Sequence, residues 1–162
     1  MKKMIFLPMV LLAGCAGIDA PKPTDVSLVG HGFSKHAVQG RKSGKPYNET
    51  NLGAGVRVGL SQDWAVQAGA YKNSYGKPSG YVIADWSPLS WRHAASCIRL
   101  TGGAFAGVAT GYPHKQFGGA APAVGLQGAV HCDRFFARVR VAPAARAKAV
   151  GMVEVGVKLL EF

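Results

Sequence analysis

The stretch Lys72-Asn73-Ser74-Tyr75-Gly76 sets a carboxamide beside a hydroxyl, between two runs of alternating apolar residues. A hydroxyl with a hydrogen-bonding neighbour can be half of an active site. The same types, with Gly76 following, are also ordinary hairpin-turn chemistry. Which reading holds depends on where the hairpin tip points. Other chemistry-bearing residues are sparse. The five histidines are scattered without metal-ligand spacing, so neither a metal nor a cofactor is expected. There is no Gly-x-Ser-x-Gly element and no phosphate-binding loop.

Cys15 closes the tetrapeptide Leu12-Ala13-Gly14-Cys15, after Lys2, Lys3 and the apolar stretch from Met4 to Ala13. That stretch is too short to span a bilayer as a helix and reads as a signal peptide over residues 1–14. The tetrapeptide resembles the bacterial lipobox. Cys15 is therefore expected to be lipidated; the alternative is an ordinary signal with a chance cysteine. Ala16 points to sorting to the outer membrane, and residues 15–24, with Pro21 and Pro23, read as a tether. About 150 residues remain, enough for one domain. Lys and Arg number 19 against 8 Asp and Glu. Such an excess suits a polyanionic partner. Export argues against nucleic acid and favours lipopolysaccharide.

No segment carries a helical stripe, and many alternate with period two. Leu52, Ala54, Val56 and Val58 oppose Asn51, Gly53, Gly55 and Arg57, while Val139 and Val141 oppose Arg138 and Arg140. Val153, Val155 and Val157 oppose Glu154 and Gly156. One face is aliphatic; the other holds Arg57, Asp85, Arg99, Arg138, Arg140, Glu154 and Lys158 among Gly and Gln. A lipid-tethered soluble sandwich would also alternate. Export, strands near the ten residues that cross a tilted bilayer, and the terminal Phe162 favour an all-β, eight-stranded antiparallel outer-membrane barrel over residues 25–162, a monomer embedded in lipid. The strands are expected at 25–36, 50–60, 63–72, 79–87, 96–110, 120–131, 134–142 and 149–161. Asp85 and Glu154 are expected to pair with lumen arginines.

With both ends of the barrel chain on the periplasmic side, the outer loops are 37–49, 73–78, 111–119 and 143–148. Residues 88–95 form a long inner turn. Arg41, Lys42, Lys45, Lys77 and Lys115 then make a basic rim facing lipopolysaccharide, unless they are merely solvated loop charges. Cys97 and Cys132 are left as an even pair in an oxidising compartment. A hairpin centred on the 111–119 loop sets them across from each other, with Cys97 opening the fifth strand, within disulfide reach. Two free thiols are the alternative. Their face parity is one step off, and a bulge or a strand end at His131 would have to correct it.

The segment from Tyr47 to Leu89 resembles the outer-membrane lipid A palmitoyltransferase (PagP-type) family. The resemblance rests on Tyr47-Asn48-Glu49, Gly53-Ala54-Gly55, Lys72-Asn73-Ser74-Tyr75 and Trp86-Ser87-Pro88-Leu89. It implies an acyltransferase moving a palmitoyl-like chain from phospholipid to lipid A, with the acyl chain in the lumen and a His, an Asp and a Ser on the outer rim. Ser74 falls on the serine position, as hydroxyl donor or oxyanion partner. His36 is the nearest fit for the histidine, as base, with His31 second. Asn73 stands where the family has aspartate; it could orient a tautomer but cannot act by charge. On this resemblance Asn73→Asp should raise the rate. A non-catalytic barrel with a structural or surface-binding role is the alternative.

Overall fold

The computed structural model describes residues 22–38, 44–113, 118–144 and 148–162. Cys15, Arg41, Lys42 and Lys115 lie outside them. Alternation of small or β-branched residues with Gly and polar groups gives eight strands and, among the described residues, no helix. They are β1 (Asp25–His36), β2 (Thr50–Gly59), β3 (Trp64–Lys72), β4 (Pro78–Arg92), β5 (Ile98–Thr110), β6 (Ala120–Cys132), β7 (Phe135–Ala144) and β8 (Lys148–Glu161). Each pairs antiparallel with the next, and β8 pairs back onto β1, closing the barrel without a free edge. The lower end holds Asp25 and Glu161; the upper end holds the β1–β2 and β3–β4 connections.

The alternation resolves as charge inside and aliphatic outside, the reverse of a soluble sandwich. Arg138 and Arg140 are 4% and 1% exposed, whereas Leu52 and Leu126 are 67% and 69% exposed. Trp64, Trp86, Trp91, Phe135 and Phe162 are exposed towards the lower end, with Trp64 and Trp86 stacked across β3 and β4.

The expected ion pairs form a plug across the lumen. Arg140 Nη1 lies 2.6 Å from Asp85 Oδ1, and its Nε 3.1 Å from Glu154 Oε1. Arg138 Nη1 reaches the same two carboxylates at 3.2 and 3.4 Å. Both guanidinium groups donate to Gln67 Oε1, at 3.1 and 3.2 Å. Two buried arginines thus meet two buried carboxylates, with Arg57 Nε a further 3.8 Å from Asp85 and Gln67 Nε2 donating to Glu154, the mutual pairing that buried charge requires. Inward glycines make the room. At Gly55 an added Cβ would collide with the Tyr81 hydroxyl, and at Gly156 with the Phe136 ring.

Two expectations are corrected. Residues 88–92 are strand, not turn: β4 runs to Arg92, whose partner is Arg99, and the inner turn shrinks to 93–97. The register shifts between Trp86 and Leu89, so Pro88 sits in an irregularity where its missing N–H costs no ladder bond. The Cys97–Cys132 disulfide is present, with Cα atoms 4.7 Å apart. However, Cys132 pairs with Ile98, and Cys97 lies in the turn just before β5 rather than opening it. That one-residue offset removes the parity conflict without a bulge, because Arg99 and His131 face each other.

Candidate active site

The upper end of β1 and the tip of the β3–β4 hairpin meet at the rim. His36 is the last residue of β1, so it stands at the strand's end rather than in the loop beyond. Its Nε2 lies 3.0 Å from Ser74 Oγ. The ring is buried and stacks on Tyr47, centroids 4.2 Å apart and planes 11° from parallel. At the ring's other nitrogen, Glu49 Oε1 is 3.8 Å from Nδ1. A buried imidazole held between a hydroxyl and a carboxylate can take a proton from a hydroxyl and return it to a leaving group.

His31 belongs to the plug instead. Its Nε2 is 2.7 Å from Tyr81 Oη, and its Nδ1 is 3.5 Å from Glu154. Of the two candidate histidines, His36 is the one in contact with Ser74.

Asn73 serves the turn. Its Oδ1 accepts from Tyr75 N at 2.9 Å and Lys77 N at 3.1 Å, and its Nδ2 donates to Gly111 O at 3.0 Å. This is an Asx-type turn, with the oxygen and the nitrogen of the amide both engaged, by the turn and by Gly111. These bonds argue for a different outcome in Asn73→Asp from the one the resemblance implies. A carboxylate cannot donate to Gly111 O and would face that carbonyl while buried. We expect a loss of about 1–3 kcal/mol in stability and no gain in rate, checked by denaturant unfolding in detergent beside an activity assay. A faster, equally stable variant would contradict this.

Below the rim lies a cavity of about 330 Å³, whose walls include Ala109, Ala121, Ala123, Val150 and Met152. Tyr71 and Tyr112 close it downward, with hydroxyls 3.2 Å apart. Burial and the neighbouring Tyr71 push the Tyr112 phenol well above its ordinary value, so it stays neutral. A smaller space of about 70 Å³ continues below, to His31, Arg140 and Glu154.

The cavity also reaches the seam between β6 and β7. The β6–β7 ladder reaches only to Leu126 and Val141, although both strands continue above that pair. Pro122 and Pro143, on the stretches where β6 and β7 do not pair with each other, line the cavity and carry no N–H to extend that ladder.

Comparison of the chain with protein-family models and with curated proteins finds no match.

Of the rim cations, Lys45 and Lys77 are described and exposed. Glu49, Tyr71 and Tyr112 were not singled out from sequence as site residues. Glu49 carried two visible signals: it is the one acid in the loops expected on the outer side, and it closes the Tyr47-Asn48-Glu49 element.

Proposed function

We propose that this chain is an outer-membrane acyltransferase resembling the lipid A palmitoyltransferases, moving a palmitoyl-like chain from a phospholipid to lipid A. The observation that carries the reading is the 3.0 Å contact between His36 Nε2 and Ser74 Oγ at the mouth of an aliphatic cavity. An acyl chain fits such walls, and the gap between β6 and β7 offers it a way in from the side. His36 takes the proton of the attacking hydroxyl. That oxygen forms a bond to the acyl carbon, Ser74 donates a hydrogen bond to the developing oxyanion, and the glycerol ester C–O bond breaks. The proton on His36 then passes to the leaving glycerol oxygen. Lys45 and Lys77, with Arg41, Lys42 and Lys115 of the loops, would meet the phosphates of lipopolysaccharide. The direct test is purified protein in detergent with acyl-labelled phospholipid and lipid A. Label should move to lipid A, and absence of transfer to any acceptor would favour a non-catalytic barrel.

The membrane assignment rests on the aliphatic outer face and the aromatic residues at its lower end. Val155 points outward, 59% exposed, in β8. Val155→Arg should cost about 2–4 kcal/mol of stability in a bilayer. Equal stability, in a protein that stays soluble without detergent, would contradict the assignment. The same reading has Cys15 lipidated, so labelled palmitate should enter the wild type and not Cys15→Ala.

A further inference from the structure

Three consecutive residues ahead of β2 hold the rim together, each differently. Tyr47 stacks on the His36 ring. Asn48 grips the hairpin tip: its N–H donates to Ser74 O at 2.8 Å, and its side-chain amide donates to Asn73 O at 3.1 Å. Glu49 grips the end of β1: its carbonyl oxygen accepts from Ser34 N at 2.8 Å, and its Oε1 is 3.4 Å from His36 N. Its Oε2 accepts from Lys35 Nζ at 2.9 Å, while Oε1 accepts from the His36 backbone N–H and lies 3.8 Å from the ring's Nδ1.

We propose that Glu49 is the positioning carboxylate of His36, and that Tyr47-Asn48-Glu49 acts as one clasp setting the imidazole against Ser74. The inference rests on the reading of His36 and Ser74 as the acyl-transfer pair. It assigns to Glu49 the task that the turn-bound amide of Asn73 does not perform. An ionised carboxylate only accepts hydrogen bonds, so it favours the tautomer with the proton on Nδ1. That leaves the Nε2 lone pair facing Ser74 and the attacking hydroxyl. When Nε2 takes the proton, the imidazolium forms beside a negative charge, and Glu49 itself neither gains nor loses a proton. The 3.8 Å separation is longer than a hydrogen bond, as catalytic contacts often are before substrate binds. Lys35 holds the carboxylate from the solvent side, 69% exposed, so its own charge is screened by water.

The test uses the full chain folded in detergent, with 15N-labelled histidine and His36 assigned through His36→Asn. The wild type should show the Nδ1–H tautomer at His36. Glu49→Gln can present an N–H to Nδ1, so it should lose that tautomer and lower kcat by about 10²-fold with KM little changed. Glu49→Asp should keep the tautomer and regain most of the rate. A Glu49→Gln variant with the wild-type tautomer overturns the proposal. So does one whose kcat stays within about twofold of wild type, whatever its tautomer. If the wild type transfers no acyl chain, the acyltransferase reading fails separately, and the tautomer comparison alone decides the role of Glu49.

Discussion

Replacing His36 with alanine should lower acyl transfer by about 10²–10⁴-fold while the barrel still folds. The imidazole is the group placed to accept the proton of an attacking hydroxyl, and its Nε2 is already 3.0 Å from Ser74 Oγ. Without it the hydroxyl must attack unassisted and the leaving oxygen departs unprotonated. Ser74→Ala should also lower the rate, because it removes a donor to the oxyanion. Folding should survive both changes. His36 lies at the end of β1, and most of the β1–β2 and β1–β8 ladders lie below it. Initial rates of label transfer, measured beside circular dichroism of the same samples, separate lost chemistry from lost fold. A folded His36→Ala variant within tenfold of wild type would contradict the assignment of His36 as base.

The second large effect belongs to the plug. Arg140→Met should destabilise the barrel by about 3–5 kcal/mol, because Asp85 and Glu154 then stay buried with only part of their compensation. Arg140 bonds Asp85, Glu154 and Gln67, and its guanidinium lies 4.9 Å from the centre of the Phe105 ring. Removing a partner as well, in Arg140→Met with Glu154→Leu, should recover part of the loss, since no unpaired charge remains from that pair. Denaturant unfolding of the single and double variants in the same detergent checks both statements. A single variant within about 1 kcal/mol of wild type would show that the charges are solvated rather than mutually paired.

What could be read from the sequence follows from the period of a strand. Arg138 and Arg140 on one parity, and Val139 and Val141 on the other, give the faces of β7 at once. The complementary charges Asp85 and Glu154 could be named because few acids share that parity. The disulfide was legible from hairpin arithmetic, yet off by one residue, because a cysteine in a turn obeys no strand register. The lower third of β4 was hidden by Pro88, which reads as a breaker unless the irregularity beside it is known. At the rim, legibility stops. Asn73 has the same composition signal whether its amide faces the turn or the histidine. Only the bonds to Gly111, Tyr75 and Lys77 decide it. Glu49 reaches His36 from a connection with no periodicity, and its placement depends on how the segment ahead of β2 folds back over the end of β1.

The most direct measurement is the mass of lipid A from cells with and without this chain expressed. The account predicts a new lipid A species heavier by one acyl chain, present with the wild type and absent with His36→Ala or Ser74→Ala. Identical lipid A spectra with and without a correctly folded, membrane-inserted wild-type barrel would contradict it.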